Sequence, residues 1–272
     1  MLGADRRLKI LERVAEDQSI QVGELAAAFA VSEMTIRRDI QRLERDGFLR
    51  RTYGGASAHL TRSLDLAFNA RALQKTREKR LIGMNAARMI GDARSIFVGI
   101  GTTAEQFARF VPSHPDLTVV TGSLPVASLL GTRPLRVVVL GGNVRRDELS
   151  CVGPAAAATL ERYRFDLAVL GAAGVSAAGG VTDLNDDEAA IHRLAADRAA
   201  RLVVIADGSK VGAVTMAAVV PIGRVSALVT DPGAPDAELR ALRAAGVEVV
   251  LAQGTAPPVP AGSELSATLA GE

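Results

Sequence analysis

From residue 81 onward the chain repeats one pattern, a short run of β-branched and aliphatic residues followed by an alanine-rich stretch with helical spacing. Seven such runs are legible: Ser95 to Ile100, Leu117 to Thr121, Leu135 to Leu140, Phe165 to Leu170, Leu202 to Asp207, Ser226 to Thr230 and Val247 to Leu251. Strands separated by helices are joined by crossovers rather than tight turns, so the alternation predicts an α/β sheet that is mostly parallel. Several runs are apolar at every residue instead of every second one, which is the pattern of strands covered on both faces.

The first part of the chain follows another rule. Residues 6 to 17 alternate charged positions with Leu8, Ile10, Leu11 and Val14, one apolar stripe on a helix. Gln21 to Phe29 gives a second helix, and Ala30-Val31-Ser32 leads directly into a third. A turn that short between two helices makes a helix-turn-helix. Ser32 is placed as an N-cap, with Val31 and Ile36 at the positions where a hydrophobic staple fixes the entry angle. At roughly 100° of rotation per residue, Ile36, Ile40 and Leu43 share one side of the third helix, opposite Thr35, Arg38, Arg42 and Arg45. The stretch Gly47 to Ala56, with a strand-like run and then Tyr53-Gly54-Gly55, reads as a wing beside that helix.

Such a helix enters the major groove, its N-terminal residues nearest the base edges and its basic residues on phosphates. Thr35 and Arg38 are the base-edge candidates, beside the capping Ser32. Arg37, Arg42, Arg50 and Arg51 are placed on phosphates, and Tyr53 with Gly54 brings the wing tip to the adjacent backbone. The net charge of the whole chain is only +2, so a nucleic-acid surface has to be local. Six arginines between Arg37 and Arg51, against Asp39, Glu44 and Asp46, supply that local excess.

In the second part, Gly99-Ile100-Gly101-Thr102-Thr103 follows one strand run and opens a helix, so backbone N–H groups and two hydroxyls converge where an anion can sit. Thr121 with Ser123, Gly141 with Gly142, and Gly153 occupy further loops at strand ends, where open α/β sheets hold ligands. Asp207-Gly208-Ser209-Lys210 adds an acid, a hydroxyl and an ammonium suited to a sugar hydroxyl and a phosphate. Glu188 and His192, four apart on a helix, either point at the same cleft or form a solvated pair. The effector candidates are therefore Gly101, Thr102, Thr103, Thr121, Ser123, Gly141, Gly142, Gly153, Glu188, His192, Asp207 and Lys210.

The stretch from Arg6 to Ala56, with Val31-Ser32, Thr35 to Asp39, Leu43-Glu44, Gly47 and Tyr53 to Ala56, resembles the winged helix-turn-helix of the DeoR family of bacterial transcriptional regulators. The later loops resemble, in order, the sensor domain of that family, itself similar in fold to ribose-5-phosphate isomerase. The resemblance implies a regulator, most often a repressor of sugar or polyol metabolism, that leaves its double-stranded DNA operator when a phosphorylated metabolite binds. The family pattern commonly has Asp where Gly99 stands, Asn where Gly122 stands and Lys where His192 stands, so the effector contacts of this chain differ there.

The expected organisation is a winged helix-turn-helix over 1–57, a linker over 58–78, an α/β effector-sensing domain over 79–253 and a disordered tail over 254–272, acting as a homodimer or homotetramer. The rival reading is a sugar-phosphate isomerase carrying a DNA-binding head. Isomerases of this fold have acids in a loop whose counterpart here is Gly171-Ala172-Ala173-Gly174, and proton transfer needs a positioned base, so no catalytic residue is expected. Neither a metal nor a cofactor is expected. Cys151 is the only cysteine, which fits a reducing compartment, and no apolar run approaches the ~18 residues needed to span a bilayer, so a cytoplasmic location is expected.

Overall fold

The computed structural model describes residues 6–7, 9–10, 13–14, 19–45, 49–52, 54–57, 71–72 and 74–254, without the side chains of Ser19, Arg45, Arg50 and Ser57. The chain divides into two compact units, one of residues 1–76 and 144–150 and one of residues 77–143 and 151–272. The expected tail, apart from Gly254, and most of the expected linker lie outside the described residues. Among the described residues no helix is long and apolar enough to cross a membrane.

In the first unit, Arg6, Arg7, Lys9, Ile10, Arg13 and Val14 are helical. They are followed by β1 (Ser19–Gln21), α1 (Val22–Phe29), α2 (Glu33–Arg45), β2 (Arg50–Thr52) and β3 (Gly55–Ser57). The three strands form one antiparallel sheet in the order β1-β3-β2. This is a winged helix-turn-helix. Its core joins Ile10, Val14, Ile20, Val22, Leu25, Ile36, Ile40, Leu43, Leu49 and Ala56, so each element contributes the apolar stripe that its spacing announces. The turn between the helices closes through Ala30, at a φ of 52°. The Val31 N–H bonds the Ala26 carbonyl at 3.1 Å and the Ala30 N–H the Ala27 carbonyl at 3.3 Å, the bonding of a Schellman end.

The second unit opens with α3 (Thr76–Ala87), which starts inside the expected linker, and continues β4 (Ser95–Val98), α4 (Thr102–Ala108), β5 (Thr118–Thr121), α5 (Leu124–Leu130) and β6 (Arg136–Val139). A two-stranded ribbon, β7 (Asn143–Arg145) with β8 (Ser150–Val152), whose residues 144–150 are grouped with the first unit, precedes α6 (Pro154–Leu160) and β9 (Phe165–Gly171). Then come β10 (Gly174–Ser176), β11 (Gly180–Asp183), α7 (Asp186–Asp197), β12 (Ala199–Ile205), β13 (Ala217–Val220), β14 (Ala227–Thr230), α8 (Asp236–Ala244) and β15 (Glu248–Leu251). The seven expected runs pair as one parallel sheet in the order β15-β14-β12-β9-β4-β5-β6. β10, β11 and β13 make a separate antiparallel sheet that the sequence pattern did not announce.

Burial on both faces explains the continuous apolar runs. Along β9, Leu167 and Val169 pack on one side with Ile82, Phe107 and Val126, while Ala168 and Leu170 pack on the other with Ala156, Ala195 and Leu242. Truncating a residue such as Leu167, which is wholly buried, to Ala costs about 2–5 kcal/mol. After β6 the chain crosses back to place β9 beside β4, so the strand order reverses between these two. That makes the end of β4 the topological switch point, where open sheets form ligand crevices.

Candidate functional site

The helix α2 is built as its spacing requires. Ile36, Ile40 and Leu43 are buried, while Arg37, Arg38 and Arg42 are exposed. Ser32 caps the helix, accepting the Thr35 N–H at 3.3 Å, and its hydroxyl also lies 2.9 Å from the Thr35 hydroxyl. The two hydroxyls that the sequence placed toward DNA therefore satisfy each other, while the exposed Ser32 and half-exposed Thr35 stay at the surface. Arg37 pairs with Glu33 at 3.1 Å one turn back, an exposed pair of the kind worth well under ~1 kcal/mol. Arg38 and Arg42 have no side-chain partner among the described residues.

Asp39 sits on the same helix but faces inward. It is buried and takes Arg6 Nε at 2.6 Å and Arg7 Nη1 at 3.5 Å, locking α2 to the first helix. Behind α2, the Arg51 N–H on β2 donates to Glu44 Oε1 at 3.0 Å, and Arg51 projects to solvent. Gly54 turns the wing at a φ of 88°. Gly55 has a different reason, because a Cβ there would meet the Ile20 carbonyl oxygen at 2.0 Å: close approach between strands, rather than to a nucleic acid. Tyr53 and the Arg50 side chain lie outside the described residues.

In the second unit, the loop after β4 reaches Thr102 at the head of α4 through Gly101, at a φ of 109° with open space beside it. Thr102 and Thr103 are largely buried. Of the two alternatives for Glu188 and His192 the solvated pair is excluded, since Glu188 is 5% and His192 2% exposed. His192 Nε2 accepts the Ile100 N–H at 3.2 Å. That nitrogen must carry the lone pair, so in the neutral ring the proton is on Nδ1. Nδ1 lies 3.2 Å from Asp183 Oδ2, an electrostatic contact too oblique for a full hydrogen bond. His192 thus ties α7 to the glycine loop and does not extend into open space.

The remaining candidates divide between loop builders and groups left at the surface. Thr121 Oγ1 accepts the Ser123 N–H at 3.0 Å, and Ser123 Oγ accepts the Val126 N–H at 3.3 Å, capping α5. Both side chains are buried. Gly141, Gly142 and Gly153 have φ values of 72°, 95° and 90°, and Gly153 precedes α6. Asp207 Oδ1 accepts the Ser209 N–H at 3.1 Å and its hydroxyl at 2.5 Å. Lys210 closes the same turn, half-exposed and without a side-chain partner among the described residues. The loops after β4, β9 and β12 adjoin at the centre of the sheet, whereas those after β5 and β6 lie progressively to one side.

Sequence reading missed three contributors. Asp231, after β14, accepts the N–H groups of Gly208 at 2.8 Å and Gly233 at 2.7 Å. Its signal was present, an Asp at the end of an apolar strand run, as at Asp207. Asp183 carried no comparable signal, and Glu44 was noted only within a motif and as an acid set against the arginines.

The family described as DeoR-like helix-turn-helix domain matches residues 6–61, and that described as DeoR C terminal sensor domain matches residues 74–232. The putative aga operon transcriptional repressor of Escherichia coli O157:H7 is 32% identical over 251 residues, 91% of this chain and 93% of that one. The glycerol-3-phosphate regulon repressor of Escherichia coli strain K12 is 28% identical over 243 residues, 89% of this chain and 96% of that one. Ribose 5 phosphate isomerase A from Neisseria gonorrhoeae is 18% identical, covering 51% of this chain and 53% of that one with a TM-score of 0.36, too slight a likeness to argue from. Matched in chain order by both domain families, the sensor family alone covering more than half its length, the chain belongs to the DeoR family of transcriptional regulators and is a regulator rather than an enzyme.

Proposed function

We propose that this chain is a cytoplasmic repressor of a sugar or polyol catabolic operon, binding a double-stranded operator through α2 and the wing and released by a phosphorylated sugar or polyol. The observation that carries the reading is the division of α2, whose buried Ile36, Ile40 and Leu43 leave Arg38 and Arg42 exposed and unpaired among the described residues. Arg38 and Thr35 read base edges, while Arg37, Arg42 and Arg51 neutralise phosphates. A homodimer or homotetramer presents two such helices to successive major grooves, about 34 Å apart. The repressors named above, for the aga operon and for the glycerol-3-phosphate regulon, support both the sign of regulation and the effector class.

The effector occupies the strand ends of the second unit, its phosphate on the Gly101 to Thr103 loop and Lys210, its hydroxyls toward Asp207 and Glu188. Release follows by linkage: an effector that prefers the arrangement with mismatched reading helices weakens operator binding by the same factor, typically ~1–3 kcal/mol. The test is footprinting on genomic fragments, with and without a panel of sugar and polyol phosphates. A discrete protected site that one phosphate abolishes is expected, and binding without sequence preference would overturn the reading.

A further inference from the structure

The wing sheet has β3 at its centre, so β2 is an edge strand. An edge strand presents backbone N–H groups that its own sheet does not pair. One of these, the Arg51 N–H, is taken by Glu44 Oε1 at 3.0 Å. Glu44 lies in the last turn of α2, where the negative end of the helix disfavours a carboxylate. It also lies within an arginine-rich stretch that a phosphate backbone approaches, which disfavours a second negative charge there. What a carboxylate gains at this position is the Arg51 amide. The bond joins the end of the reading helix to the strand that carries Arg51, while the other side of the wing is fixed by the Val22 N–H on the Gly54 carbonyl at 2.8 Å.

We infer that Glu44 is a positioning residue for DNA binding: it docks the free edge of the wing onto the reading helix and so delivers the Arg51 guanidinium to a phosphate at a fixed offset from the bases that α2 reads. Arg51 projects to solvent, and the bond to Glu44 fixes where along β2 it does so. The inference rests on the DNA-binding reading above.

The experiment uses the full chain and a mixed-sequence duplex, since a phosphate contact is read without the operator. Glu44→Ala and Glu44→Gln remove the same charge, but only glutamine keeps an oxygen that can accept the Arg51 N–H. Loss of a carboxylate alone tightens DNA binding equally in both. Positioning instead makes Glu44→Ala roughly threefold to tenfold weaker than Glu44→Gln, with a salt slope smaller by about 1. In an Arg51→Ala background that difference shrinks to about twofold or less, because the delivered group is gone. Equal affinity and slope for the two variants, or a difference undiminished by Arg51→Ala, overturns the inference. A wild-type chain showing no salt-dependent binding to the duplex sinks the DNA reading itself. Thermal melts of both variants report folding separately, and a partly unfolded Glu44→Ala keeps its deficit in the Arg51→Ala background, which counts against positioning.

Discussion

Gly99 leaves the space that His192 fills. A Cβ at residue 99 would stand 3.0 Å from His192 Nε2, and also 3.2 Å from both Leu170 Cα and the Val169 carbonyl oxygen. The imidazole in turn uses that nitrogen to hold the Ile100 N–H. The two positions therefore act as a pair. Gly99→Ala is expected to destabilise the second unit by about 1–3 kcal/mol through overpacking. In a His192→Ala background the cost falls by about 0.5–1 kcal/mol, since one of the three close contacts is removed. Urea titration of the four proteins measures the coupling, and strict additivity would show that the two residues do not press on each other.

Arg38 and Arg37 are neighbours with different commitments, since Arg37 holds Glu33 and Arg38 is free among the described residues. Arg38→Ala is expected to cost about 1–3 kcal/mol of discrimination between operator and scrambled duplex. Arg37→Ala is expected to weaken both duplexes alike and to lower the salt slope by about 1. Fluorescence anisotropy on the two duplexes separates them. An Arg38→Ala protein with unchanged sequence preference would falsify the assignment of α2 as the reading helix.

The large parallel sheet was legible because central strands buried on both faces are written as unbroken apolar runs. The small sheet of β10, β11 and β13 was not, since strands of three or four residues carry no period and Val181 finds its partner at Val220, far along the chain. Helical spacing correctly put Glu188 and His192 on one face of α7, but spacing says nothing of what covers that face. The cover is the glycine loop, joined by a bond across 92 residues. Ser32 and Thr35 show a related gap, because the cap and the surface position were legible while their mutual hydrogen bond was not written in any residue type.

Asp166, near the start of β9, draws β4 alongside it. Its Oδ2 accepts the N–H groups of Arg94 and Ser95 and the Ser95 hydroxyl, each at 2.9 Å. The Ser95 amide first, then the Arg94 amide, hold this carboxyl below the usual Asp range. A folded value depressed below the unfolded one, about 3.9, gives stability that is complete above that pH and is lost as pH falls through the folded value. Asp166→Asn should therefore lower the melting temperature most at neutral pH, with the gap to wild type narrowing below about pH 4. Melts at a series of pH values read this directly, and a gap that widens in acid would contradict it.

Lys210 ends the turn that Asp207 organises, and the residue is partly exposed, its side chain without a partner among the described residues. A side chain that holds nothing in the fold can be removed at little cost, within about 0.5 kcal/mol. In the proposed site the same ammonium meets a phosphate, where a charge-assisted bond is worth about 1.5–3 kcal/mol. Lys210→Ala should then melt as wild type and bind the operator with unchanged affinity, while the effector concentration needed for release rises by roughly one to two orders of magnitude. Operator release followed by anisotropy across an effector titration makes the measurement. Unchanged release would place the phosphate elsewhere among the strand ends, whereas loss of operator binding together with a lowered melting temperature would mean that Lys210 supports the fold after all.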